Sequence, residues 1–172
     1  MLLIIQSGDF MMQIHPIKSI LLTLGISVLL SSGISFAEQS FVDTKTGQTM
    51  KIDSGLFNTE QSKKFLNTGE NPYNGNAEAI ASGKKHYQTY SCAQCHGAQA
   101  QGQTAVGLTG PKYNNSKTAT DKGMFEIIWA GTNGGMSGKG KGVMDPGNQN
   151  NGLSPDEVLK VMAWIRSQGG AK

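Results

Sequence analysis

The sequence predicts an all-α domain: a few short helices joined by glycine-rich loops. Three observations predict it. Several segments carry apolar residues at helical spacing between recognisable start and stop signals. The 172 residues include 23 glycines and 5 prolines, clustered in the second half, too loop-rich for a long coiled coil and too irregular for a collagen-like repeat. The length suits one domain. A net charge of +3, spread along the chain, supplies no clustered basic stripe and so argues against DNA or RNA as the main partner.

The elements follow in order. Lys18 precedes an apolar run from Ile20 to Leu30, and Ser35-Phe36-Ala37 supplies a small-x-small cleavage pattern, so residues 1–37 read as an export signal cleaved after Ala37. The run is short for a lasting membrane anchor, and a retained tether is the alternative. Removing it takes away Asp9 and Lys18 together and leaves residues 38–172 at the same charge. A chain of that size buries roughly two thirds of its unfolded surface, enough for a core around a cofactor. Residues 38–76 read as an N-terminal extension, polar at Asp43 to Gly47, then helical from Thr59 to Leu66 and stopped by Asn67-Thr68-Gly69. The turn cluster Asn71-Pro72-Tyr73-Asn74-Gly75 marks the boundary with a main domain over 77–172.

That domain opens with a helix from Ala77 to Tyr90 whose Ile80, Gly83, Tyr87 and Tyr90 share one side. Glycine inside a helix costs about 1 kcal/mol against alanine, so Gly83 predicts close packing against another helix. A loop with Gly102, Gly107 and Gly110-Pro111 leads to a middle helix, Asp121 to Trp129, begun by Thr120 or Asp121 and ended at Gly131. The final helix starts at Ser154-Pro155-Asp156-Glu157, which joins a cap, a first-turn proline and a glutamate three residues on. Val158, Val161, Met162 and Ile165 form its apolar stripe. The glycine-rich stretch between them, Gly131 to Gly142, lacks both strand-to-helix framing and a G-K-[ST] signature, so it is not a phosphate cradle.

The two cysteines carry the chemistry. In an exported chain thiols are normally oxidised to disulfides, yet Cys92-Ala93-Gln94-Cys95-His96 keeps its pair three positions apart. C-x-x-C-H is the attachment signature of haem c, in which both thiols add to the vinyl groups and the histidine ligates iron. On a helical turn, positions i, i+3 and i+4 share a face, so both sulfurs and the imidazole meet one flat macrocycle. A thioredoxin-like pair wants a strand before it, whereas Ala77 to Tyr90 reads as helix. A structural zinc would need four ligands, and the exported part has only Cys92, Cys95, His96 and His86, the last read as an exposed helix residue beside Lys84 and Lys85.

For the iron's other axial position, Met124 and Met162 lie on helices and read as core, and Met50 lies in the extension. Met136 and Met144 lie in the glycine-rich loop, and the residues alone leave both open. A thioether opposite the imidazole makes an electron-transferring haem; a vacant position would permit ligand binding or peroxide chemistry.

Helix, C-A-Q-C-H, glycine-rich loop, short helix, methionine loop and C-terminal amphipathic helix together resemble a class I cytochrome c, a few helices wrapped around one covalent haem. More narrowly, the chain resembles the cytochrome cL group, electron acceptors of pyrroloquinoline-quinone (PQQ) methanol dehydrogenases. The matching residues are Phe65-Leu66-Asn67-Thr68-Gly69-Glu70-Asn71-Pro72-Tyr73-Asn74, Thr120-Asp121-Lys122-Gly123-Met124-Phe125-Glu126, and Leu153-Ser154-Pro155-Asp156-Glu157 running to Ala163-Trp164-Ile165-Arg166. The resemblance implies Cys92 and Cys95 as thioether links, His96 as proximal ligand and Met144 as distal ligand, with Met136 the alternative. Met144-Asp145-Pro146 fits the family's M-x-P neighbourhood; Met136 fits better when measured from the middle helix. Relatives orient the histidine with a G-P-x-L segment, and here Ala105-Val106-Gly107-Leu108 stands in the comparable place. The implied function is single-electron transfer in the periplasm, not enzymatic turnover, from a PQQ alcohol dehydrogenase to a downstream cytochrome c or oxidase. Such encounters are small and brief, and Lys112, Lys117, Lys122, Lys139 and Lys141 are the charges available to a docking patch around the haem edge. The other readings are a general periplasmic carrier for another oxidoreductase and a haem sensor or peroxidase with an open sixth site.

Overall fold

The computed structural model describes residues 38–110 and 113–169, so the expected export signal over 1–37 and Lys112 lie outside the described residues. Five α-helices stand among them: α1 (Glu60–Thr68), α2 (Ala77–Thr89), α3 (Cys92–His96), α4 (Asp121–Ala130) and α5 (Pro155–Ser167). Short 3-10 turns lie at Ser54–Leu56 and Ser116–Ala119. One element differs from the all-helical expectation. Two-residue strands, β1 (Phe41–Val42) and β2 (Thr49–Met50), pair antiparallel with Phe41 opposite Met50. Strands of two residues carry no alternation to read, and the polar Asp43 to Gly47 stretch between them is their turn: Gly47 at φ 73° closes it, and Asp43 Oδ1 accepts the Lys45 N–H at 2.7 Å.

Helix starts follow the caps. Ser154 accepts the Glu157 N–H while Glu157 Oε2 accepts the Ser154 N–H at 2.7 Å, a reciprocal capping box with Pro155 in the first turn. Thr120 caps α4, and Thr59 forms a second box with Ser62 at α1. α1 runs two residues beyond Leu66 and ends at Gly69, in the left-handed conformation at φ 73°.

The tightest helix pair is α2 against α5. A Cβ on Gly83 would lie 2.5 Å from the Lys160 carbonyl carbon and 3.0 Å from the Val161 amide nitrogen, so only glycine allows this approach. Tyr87 and Trp164 meet beside it, ring centroids 4.3 Å apart. The core continues through Met124, Phe125, Trp129, Leu153, Val158, Leu159, Val161 and Met162, all buried. Met124 and Met162 thus pack as helix-core residues.

The extension is built into this core. Phe41, Phe57 and Phe65 are buried around Phe125 of α4, with ring centroids 4.9 to 6.3 Å from it. Polar ties run alongside. The carboxylate of Glu126, a residue 2% exposed, accepts the Val42 N–H at 2.9 Å and is paired by Lys117 (2.6 Å) and Lys122 (3.3 Å). Asp156, at the start of α5, accepts the hydroxyls of Thr59 (2.8 Å) and Tyr73 (2.7 Å) and pairs with Lys160 (2.7 Å). Asp121 accepts the Asn71 N–H and pairs with Arg166 (2.9 Å).

Candidate haem site

α3 is a single turn holding Cys92, Cys95 and His96, as the motif's spacing predicts. It is entered through Ser91 at φ 63° and left through Gly97 at φ 81°, so the chain bends sharply at both ends. The loop after it folds back on the helix by backbone bonds: Gly102 N–H to the His96 carbonyl (2.7 Å) and Ala105 N–H to the Cys95 carbonyl (2.9 Å). These satisfy carbonyls that a helix end leaves unpaired. The buried Tyr87 hydroxyl donates to the Gly97 carbonyl at 2.9 Å, anchoring the turn to α2. Sequence reasoning placed Tyr87 on the packing face but had no signal for that bond.

The fold-back delivers an orienting contact. His96 Nδ1 lies 2.7 Å from the Val106 carbonyl oxygen. A carbonyl only accepts, so the ring proton sits on Nδ1 and the Nε2 lone pair is left for a metal. Val106, in the Ala105-Val106-Gly107-Leu108 segment, therefore does what the G-P-x-L segment does in the family pattern. Both thiols are free of disulfide, Cys92 half-buried and Cys95 exposed. Burial pushes the Cys92 thiol up, with the Lys139 charge opposing. Two unpaired thiols and an imidazole with a free Nε2 on one helical turn fit covalent haem and an axial bond to its iron.

Met136 and Met144 are both half-buried in the loop between α4 and α5. Met136 leans on the core, and its carbonyl accepts the Thr132 N–H at 2.8 Å. Met144 donates its N–H to the Gly140 carbonyl at 2.9 Å. The loop is pinned at its far side by a parallel bridge between Gly140 and Leu153.

Two expectations change. His86 is half-buried, with Nδ1 3.9 Å from Glu157 Oε1, because α2 and α5 cross beside it. Lys117 and Lys122 are committed to Glu126, whose carboxyl they help hold below its ordinary range against the upward push of burial. Lys139 and Lys141 form no ion pair among the described residues. Nor did the sequence point to Tyr113, whose hydroxyl is buried and whose ring lies 5.8 Å from the Arg166 guanidinium. Burial raises its pKa, and Arg166 opposes the rise.

Known proteins resemble the chain in sequence and in fold. Residues 80–169 match the cytochrome c family. Cytochrome c-L of Methylorubrum extorquens is 36% identical over 129 residues, which cover 73% of this chain and 60% of that protein's length. Among solved structures, cytochrome cL from the marine methylotrophic bacterium Methylophaga aminisulfidivorans aligns at 39% identity and TM-score 0.63, covering 76% of this chain and 81% of that one. Cytochrome cL from Hyphomicrobium denitrificans aligns at 34% identity and TM-score 0.63, covering 76% and 73%. With haem c as its cofactor and the class I cytochrome c fold, the chain belongs to the cytochrome c family, where cytochromes cL are its relatives.

Proposed function

We propose that this chain is a periplasmic monohaem electron carrier that accepts single electrons from a PQQ-dependent alcohol dehydrogenase, methanol dehydrogenase in particular, and passes them to the respiratory chain. The observation that carries the reading is the His96 contact with the Val106 carbonyl inside a C-x-x-C-H turn, which fixes the ring and leaves Nε2 for iron. Bound haem supplies a one-electron iron couple. Cys92 and Cys95 hold its edge by thioether links and His96 is the proximal ligand. Met144 is the distal ligand, with Met136 as the alternative. A methionine thioether serving the iron together with the His96 imidazole would raise its potential and suit electron transfer rather than turnover of a substrate. The cytochromes cL among the relatives, one from a methylotroph, support the choice of donor.

Stopped-flow mixing of the oxidised protein with a reduced PQQ methanol dehydrogenase tests this. Haem reduction within the dehydrogenase's turnover time is expected. Haem that stays oxidised over that time overturns the assignment of donor, and a spectrum without a c-type haem overturns the carrier itself.

A further inference from the structure

We propose that the β1–β2 turn, Asp43 to Gly47, is a clamp on the methionine loop, with Thr44 a positioning residue that sets how firmly the iron keeps its sixth ligand. The proposal rests on the electron-carrier reading, in which that ligand is a methionine of this loop.

Gly131 ends α4 at φ 83°, so its carbonyl has no partner within the helix. The half-buried Thr44 hydroxyl donates to it. One turn of loop further on, Asn133 Nδ2 donates to the Lys45 carbonyl at 3.0 Å. These bonds join residues 87 to 88 positions apart in the chain. They grip the point at which the loop leaves the core.

From that point the loop is stitched stepwise by its own backbone. Gly131 bridges Ser137, and the Thr132 N–H reaches the Met136 carbonyl at 2.8 Å. The Lys139 N–H returns to Ile128 O at 2.8 Å and the Gly140 N–H to Trp129 O at 3.2 Å. Met144 then hangs from Gly140. Met136 is therefore suspended from residues 128–132, and Met144 from those residues together with Leu153, which bonds Lys139 and Lys141 on either side of Gly140. A Cβ on Gly131 would come within 2.6 Å of the Gly138 amide nitrogen, so the two limbs lie too close to slide past one another. Motion of the loop on the α4 side requires movement of its root, and that root is where the clamp binds.

The clamp is itself held from behind. Phe41 stacks into the aromatic cluster, and the Val42 N–H is bound by the buried Glu126 carboxylate of α4. Within the turn, the Gly47 N–H donates to Asp43 O and the Asp43 N–H to Gln48 O, each at 2.8 Å. A rigid turn on a rigid strand transmits restraint; a mobile tail would not.

The test is the affinity of added imidazole for the oxidised holoprotein, since imidazole competes with the methionine for the iron. Thr44→Val removes the donated hydrogen bond at nearly constant volume. It should raise imidazole affinity about fivefold, the equivalent of about 1 kcal/mol, and lower the reduction potential. Thr44→Ser keeps the hydroxyl and should stay within about twofold of the parent. Thr59→Val, which breaks the extension's tie to Asp156 away from the loop, should lower the melting temperature and leave imidazole affinity and potential unchanged. Equal imidazole affinity in Thr44→Val and the parent overturns the clamp, as does an equal rise in Thr59→Val. If the parent shows no weak far-red band of sulfur-to-iron coordination, the methionine-ligated reading fails first, and the clamp with it.

Discussion

Replacing Gly83 by alanine sets two physical effects against each other with opposite signs. Alanine is the better helix former by about 1 kcal/mol, so if α2 stood alone Gly83→Ala would stabilise it. In the folded chain the new Cβ would sit 2.5 Å from the Lys160 carbonyl carbon and 3.0 Å from the Val161 nitrogen, where ordinary contact begins at 3.4 Å. Those atoms are backbone of α5 and cannot swing aside, and the Lys160 carbonyl oxygen lies nearer still, so the two helices must part by more than about 1 Å. Parting them loosens the Tyr87–Trp164 contact at the same crossing. Overpacking of this type costs about 3 kcal/mol at the upper end of its usual range, so the net loss is about 2 kcal/mol. For a domain of this size each kcal/mol moves the melting temperature by about 3 to 4 °C, so the holoprotein should melt about 6 to 8 °C lower. Thermal unfolding followed by far-ultraviolet circular dichroism reads it. A variant that melts at or above the parent temperature would refute the crossing as described, because helix propensity alone predicts a rise.

Other perturbations test the site and its supports. Met144→Ala should abolish the weak far-red absorption of sulfur-to-iron coordination while Met136→Ala keeps it; the reverse pattern moves the ligand to Met136. Cys92→Ala should leave at most one thioether link and lower the yield of covalent holoprotein, read by mass spectrometry, and an unchanged yield with two links refutes the attachment. Glu126→Gln should cost about 1.5 to 3 kcal/mol near neutral pH, measured by urea unfolding, because two lysines and the Val42 N–H lose a charged acceptor. The Glu126 carboxyl titrates lower folded than unfolded, so its stabilisation is present above the ordinary carboxylate range and is lost as pH falls through and below it. The gap between parent and Glu126→Gln should therefore close on acidification below about pH 4.5, and a gap independent of pH would rule out the ionised carboxylate as the stabilising group.

Local signals were legible wherever the physics is local. The Ser154-Pro155-Asp156-Glu157 start is a self-contained hydrogen-bonding unit, and it appears in the structure with both halves made. The Cys92–His96 turn follows from spacing alone. Gly83 was readable as a close approach because glycine inside a helix needs a reason, though nothing local said which helix would lie against it. What stayed hidden depends on long-range contact. Phe41, Phe57 and Phe65 follow no shared period, and their role emerges only around Phe125. The His96 acceptor is a backbone carbonyl, which any residue type supplies, so the side chain of Val106 carried no message. Lys122 and Glu126 stand at the i,i+4 spacing of a helix pair, but Lys117 reaches the same carboxylate from the 3-10 turn before α4.

That shared carboxylate also narrows the proposed docking patch. Two lysines share one buried carboxylate at 2.6 and 3.3 Å, so together they present one net positive charge to a partner rather than two. Lys117 and Lys122 thus act on the fold, by holding Glu126 and through it the Val42 strand. Lys139 and Lys141 carry no such partner among the described residues, and the Lys139 charge acts on the Cys92 thiol. They lie in the loop that also carries both candidate methionine ligands. Under the proposed function, the charges available to steer a partner and the methionine that the Thr44 turn restrains therefore lie in one segment.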